Sequence, residues 1–113
     1  MAKILVSEAD PDVRRLLAVL VRRLGHDAVV LDAGAEAPPR GDLLLLEPLS
    51  RRCLEQARAV RSDAPDVPVI CMGSLTDEGG FLLGGPVGFL PKPFTLEQMR
   101  ERIVQTLAGS RAA

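Results

Sequence analysis

With 113 residues the chain has the length of one small domain, enough to bury a single core and too short for two. A composition of 47% hydrophobic and 26% charged residues excludes an intrinsically disordered chain, and a formal net charge of −1 gives no global attraction to nucleic acid or an anionic membrane. No apolar stretch approaches the roughly 20 residues of a membrane span.

Taken in chain order, Ile4-Leu5-Val6 is a short apolar run that reads as a buried strand, not as the apolar segment of a signal peptide. Cytoplasmic localisation is the resulting expectation. Asp10 offers a capping oxygen and Pro11 fits the first helical position, where its missing N–H is not needed. Val13, Leu16, Leu17, Leu20, Val21 and Leu24 then recur at helical spacing and are expected to face the core, with Arg14, Arg15, Arg22 and Arg23 mostly off that face. Gly25 ends the helix as a residue able to take positive φ. His26 follows in the turn with no Cys or second His beside it, and is read as a turn residue without catalytic or metal role.

Ala28 to Leu31 reads as the second strand. Residues 33–41 hold two prolines and two glycines, leaving room for about one helical turn. Leu43 to Leu46 is the third strand; a helix from about Arg51 to Arg61 follows, burying Leu54, Ala57 and Val60. Val67 to Met72 is the fourth strand. Between Gly79 and Gly88 lie five of the chain's ten glycines, so a helix from Asp77 to Leu83 is expected to be short or frayed. Val87 to Leu90 is the fifth strand. Thr95-Leu96-Glu97-Gln98 is a capping box opening a last helix that buries Leu96, Met99, Ile103 and Leu107. The domain is expected to span 1–108, with 109–113 a frayed tail. Cys53 and Cys71 lie on separate elements without a CxxC motif and read as buried free thiols.

Strands alternating with helices predict an α/β domain with a parallel sheet covered on both faces. In such a sheet the loops after the central strands meet in one crevice. That places Glu8 to Asp10, Glu47, Gly73-Ser74 and Pro91-Lys92 as neighbours. An apolar strand delivering a carboxylate, Gly41-Asp42-Leu43-Leu44-Leu45-Leu46-Glu47, followed by Gly88-Phe89-Leu90-Pro91-Lys92-Pro93-Phe94, resembles the receiver domain of two-component response regulators. The resemblance covers about residues 3 to 107. It implies a doubly wound, five-stranded parallel sheet of the flavodoxin-like, CheY-like kind, strand order 2-1-3-4-5, here with the second and fourth helices shortened.

The resemblance also implies roles. Glu47 stands at the phosphoacceptor position, where the family has aspartate. Lys92 matches the lysine that contacts the phosphoryl group, and Pro93 is expected to follow a cis bond. Glu8 matches the first of the family's acidic pair. Ala9 stands where the second, Mg²⁺-holding acid belongs, and Asp10 is better used as a helix cap. Gly73 stands where a Thr or Ser donates to the phosphoryl group, with Ser74 one place later. Phe89 fits the aromatic switch position, though a core phenylalanine reads the same. Arg51 and Arg52 are either within reach of Glu47 or simply begin a helix in water.

Three of these positions, Ala9, Glu47 and Gly73, argue against phosphorylation. Mg²⁺ wants near-octahedral oxygen ligands, and Glu8 with Glu47 alone is a poor cage, so no metal or cofactor is expected. An ion pair between Glu47 and Lys92 is expected instead. The leading expectation is a non-enzymatic, phosphorylation-independent protein-interaction module of bacterial two-component signalling; the alternative is a phosphorelay receiver accepting a phosphoryl group at a non-standard residue. A small-molecule binder fits worse, since Glu8-Ala9-Asp10-Pro11 after the first strand is no Gly-rich phosphate loop. The partner is expected to be a signalling protein or a second copy, not nucleic acid or membrane. Its surface is read from the apolar Phe81, Leu82 and Leu83 with Phe89 and the outer side of the last helix.

Overall fold

The computed structural model of the chain describes residues 1–31, 39–73 and 87–112. In chain order the elements are β1 (Lys3–Ser7), α1 (Pro11–Arg23), β2 (Asp27–Val30), β3 (Leu43–Leu46), α2 (Arg51–Asp63), β4 (Val69–Met72), β5 (Val87–Leu90) and α3 (Leu96–Ala112). The strands form one sheet, all neighbours parallel, in the order β2-β1-β3-β4-β5. This is the order expected from the sequence. The shortened second and fourth helices, with Ser74, Phe81, Leu82 and Leu83, lie outside the described residues.

The continuous apolar runs are explained by coverage on both faces. Successive strand residues alternate between two clusters. Ile4, Val6, Leu43, Leu45, Ile70, Met72 and Leu90 pack with Leu17 and Val21 of α1 and Met99, Ile103 and Leu107 of α3. Leu5, Leu44, Leu46, Val69 and Cys71 pack on the opposite face with Cys53, Ala57 and Val60 of α2. All four leucines of β3 are fully buried, as a central strand requires. Both cysteines are buried free thiols.

Local chemistry sets the helix ends. Asp10 is extended, and its Oδ1 accepts from the Asp12 and Val13 amides, capping α1 with Pro11 at its start. Gly25, just past the end of α1, takes φ 89°, which leaves L side chains strained. The capping box of α3 forms reciprocally: the Gln98 amide donates to Thr95 Oγ1 at 3.1 Å and the Thr95 amide to Gln98 Oε1 at 2.8 Å.

Some expectations need correction. Leu16 does not face the core but is 55% exposed, and Ala18 is buried in its place. Leu96 is 38% exposed, because it opens α3 at the rim where the sheet has already ended. Helix α3 also continues through Gly109 to Ala112. A Cβ at Gly109 would meet nothing within 4 Å, so this glycine lies in open space and contributes only a propensity cost of about 1 kcal/mol, which does not halt an established helix. Finally, His26 does more than occupy a turn: its Nδ1 accepts from the Ala2 amide at 3.1 Å, tying the start of the chain to the α1–β2 turn.

Candidate functional site

The registry of the sheet assembles the site. Ser7 pairs with Leu46, Leu46 with Cys71, and Met72 with Leu90, so β1, β3, β4 and β5 end at one rim. The ladder extends one step beyond the strands. The Glu47 amide donates to the Ser7 carbonyl at 3.0 Å, and the Gly73 amide to the Leu90 carbonyl at 3.2 Å. Glu8, Glu47, Gly73 and Lys92 therefore leave the sheet side by side.

Glu47 is held through both carboxylate oxygens. Oε1 accepts from the Leu49 amide at 3.0 Å, a turn within its own loop. Oε2 accepts from Lys92 Nζ, also at 3.0 Å. The ion pair expected from the sequence is present. Glu47 is 13% exposed and Lys92 38%, so the pair is only partly shielded from water, and we assign it up to about 1 kcal/mol. The Lys92-Pro93 bond is cis.

Glu8 completes the charged rim. Its side chain is 5% exposed, and Oε2 lies 3.9 Å from Lys92 Nζ. Oε1 accepts from the Asp10 amide at 3.2 Å, whereas Oε2 has no hydrogen-bond partner among the described residues. Arg14 reaches the same turn from α1 but donates to the Glu8 backbone carbonyl, at 3.4 Å. One ammonium thus faces two carboxylates from neighbouring strands. Below them the Ser7 hydroxyl donates to Gln56 of α2, a contact that no sequence motif announced.

Gly73 lies beneath the Glu47 carboxylate. It takes φ 124°, a conformation that β-branched residues avoid. A Cβ built there would lie 3.9 Å from both Oε1 and Oε2 of Glu47, an ordinary contact distance, so the carboxylate lies over the glycine and the positive φ is what favours glycine here. The resemblance places a hydroxyl at this position; in its place the Glu47 carboxylate of the adjacent strand lies beside the glycine.

The other sequence candidates divide. Ala9 is exposed and offers no ligand. Asp10 is exposed and its Oδ1 serves as the helix cap. Arg51 pairs with Glu55 at 3.6 Å, which assigns it to its own helix rather than to Glu47. Phe89 is half-buried against the α2-side cluster. Its neighbour Gly88 faces Thr106 and Arg102 of α3, so Phe89 and α3 lie on opposite faces of the sheet. Because β5 is the edge strand, the two faces meet beside it, and the rest of the expected surface, Phe81, Leu82 and Leu83, lies outside the described residues.

Among the described residues no group of three acids, histidines or cysteines is placed to hold a metal ion. The two carboxylates that point into the rim already share an ammonium. Next to the rim, Cys71 on β4 is held protonated: burial pushes its thiol up to about 11, with the Arg61 charge opposing and the Glu47 charge adding to the effect. Arg61 is itself buried, its Nε and Nη2 donating to the Val67 carbonyl at 3.3 and 3.2 Å, and desolvation lowers its pKa. Its burial was not legible in the sequence, since arginine is rarely buried.

No family model matches the chain. It is 28% identical over 111 residues to the DNA-binding response regulator MtrA of Mycolicibacterium smegmatis, the match covering 89% of this chain and 48% of MtrA. The chain thus spans about half the length of that curated relative. Among solved structures it is similar to the Vibrio cholerae chemotaxis protein CheY4, with a TM-score of 0.78, 20% identity and coverage of 94% of this chain and 98% of that one. It is also similar to the receiver domain of the sensor histidine kinase PA1611 from Pseudomonas aeruginosa, solved with a magnesium ion in the active-site cleft: TM-score 0.75, 19% identity, coverage 95% and 98%. Strand order and these likenesses agree on the fold: the chain has the CheY-like, doubly wound five-stranded parallel sheet and is similar to response-regulator receiver domains.

Proposed function

We propose that the domain serves two-component signal transduction as a protein-interaction module whose state is fixed by Glu47 instead of by a phosphoryl group. The observation that supports this reading is the pair of contacts on the Glu47 carboxylate, Leu49 N–H on one oxygen and Lys92 on the other. A phosphoryl acceptor needs a free oxygen aligned in-line with the donor at about 3–3.5 Å, and a cation to gather the developing charge. Here each oxygen has a donor, the lysine is engaged, and Gly73 supplies no hydroxyl. The carboxylate supplies a permanent negative charge next to Lys92, so the β5 loop is tied to β3 without modification. The partner is a signalling protein or a second copy of the chain, and no catalytic step is assigned to the domain.

The test is intact mass after incubation with acetyl phosphate and Mg²⁺. The unmodified mass is expected. An adduct of one phosphate that disappears in Glu47→Ala would overturn the proposal in favour of a phosphorelay receiver with an unusual acceptor. Glu47→Gln should alter binding to the domain's partners while leaving the circular dichroism spectrum unchanged.

A further inference from the structure

We infer that the Lys92 ammonium is the resident cation of a two-carboxylate site made by Glu8 and Glu47, and that it closes this receiver to divalent metal. The inference rests on the reading of Glu47 as a fixed charge and extends it to the ion chemistry of the rim.

Three observations carry it. Lys92 Nζ lies 3.0 Å from Glu47 Oε2 and 3.9 Å from Glu8 Oε2, so one positive centre serves both acids. The Glu8 side chain is 95% buried, and its Oε2 finds no hydrogen-bond donor among the described residues. A carboxylate oxygen withdrawn from water without a donor is strongly unfavourable unless a positive charge lies close. The arginine nearest to Glu8 in the same turn, Arg14, contacts its backbone carbonyl and not its carboxylate. The ammonium is thus the group that answers the buried charge. Being tethered through β5 it cannot diffuse away, and its effective concentration exceeds that of a free ion.

The consequence is specific. Removing only the charge of Lys92 leaves two carboxylates from adjacent strands facing one another, one of them with an unpartnered oxygen. That arrangement should recruit a divalent cation from solution, although Ala9 still withholds the ligand a strong site would have. In wild type the two carboxylates are partly neutralised by their own ammonium, whereas in Lys92→Met they stand uncompensated and attract metal.

The experiment uses Mn²⁺ alone as the probe, titrated at near-neutral pH and followed by electron paramagnetic resonance, on wild type, Lys92→Arg, Lys92→Met and the Lys92→Met/Glu8→Gln double variant. Wild type and Lys92→Arg should show no binding tighter than about millimolar, and Lys92→Met should gain about ten-fold or more, a gain abolished by Glu8→Gln. Circular dichroism establishes that each variant is folded. If Lys92→Met fails to fold, Lys92→Gln replaces it, and selective broadening of the Glu8 and Glu47 amide resonances of wild type by Mn²⁺ serves as a second measurement. Broadening at those two amides at sub-millimolar Mn²⁺, or no gain in either neutral variant, overturns the inference. A phosphoryl adduct on Glu47 overturns the proposed function without deciding this one, and an absent Mn²⁺ gain leaves the mass result standing.

Discussion

One layer below the rim, β1, β3 and β4 present aliphatic side chains packed on both faces, with Ile4, Leu5, Val6, Leu43 to Leu46, Val69, Ile70 and Met72 fully buried. At the rim the same strands deliver Glu8, Glu47 and Gly73, two of which depart from what a receiver carries there. The two regions are joined by continuous backbone ladders, since the Glu47 and Gly73 amides still bond to the neighbouring strands. The lesson is that the sheet is determined by aliphatic burial in its middle and is indifferent to the chemistry at its ends. The chemistry at the rim can therefore change without any cost to the fold beneath it.

The sharpest way to separate the two regions is to damage each. Leu45→Ala, at a fully buried position of the central strand, should destabilise the domain by about 2–5 kcal/mol, because the cavity adds to the lost transfer energy. Urea unfolding measures it. Glu47→Gln in the same assay should cost far less, and a comparable loss from both would erase the distinction drawn between core and rim. Gly73→Thr comes next. It would restore the family's hydroxyl, but at φ 124° and beside the Glu47 carboxylate. We expect a loss of about 1–3 kcal/mol, relieved in part by Glu47→Asp, which withdraws the carboxylate. Equal losses in the two backgrounds would show that Gly73 and Glu47 are independent changes.

The middle of the sheet was legible in the sequence for the reason that makes it stable. Four consecutive leucines bounded by Asp42 and Glu47 leave no register to choose, and Gly25 and Thr95-Gln98 mark helix ends through local backbone chemistry. Periodicity overshot where it named more aliphatic positions than the sheet can cover, as with Leu16 and Leu96. At the rim, the neighbours Glu8, Glu47 and Lys92 were legible through topology and motif. The depth of Glu8, its unpartnered Oε2 and the Ser7–Gln56 contact were not, since each depends on where α1 and α2 lie against the strand ends. The fit of Glu47 over Gly73 was also hidden, because the two are 26 residues apart and neither residue type alone signals it.

A smaller effect is expected from the ion pair itself. A double-mutant cycle on Glu47→Gln and Lys92→Met should give a coupling of up to about 1 kcal/mol, decreasing as salt is added, since Lys92 is 38% exposed. A coupling well above this would mean that the rim contributes to stability on the scale of a core residue. No coupling at any salt concentration would mean that Lys92 is held in place by its loop and not by Glu47.

The smallest effect lies at the boundary between the two regions. Cys71 belongs to the α2-side core by packing, yet it is near enough to Glu47 to feel its charge. Burial is the main cause of its raised pKa of about 11, Arg61 opposes, and Glu47 adds. The thiol in an unfolded chain ionises near 9, so the folded state holds the proton more tightly. Its contribution to stability is therefore fully present below about pH 9 and is lost as pH rises through about 11. Urea midpoints measured across that window should fall in wild type and fall less in Cys71→Ala, after allowance for the pH-independent cavity. Glu47→Gln should make the thiol slightly easier to ionise, visible as a small downward shift of thiolate absorbance in the ultraviolet. That shift is the direct reading of rim charge by a core residue: its absence would place Glu47 and Cys71 in separate electrostatic environments, and the division between the two regions would be complete.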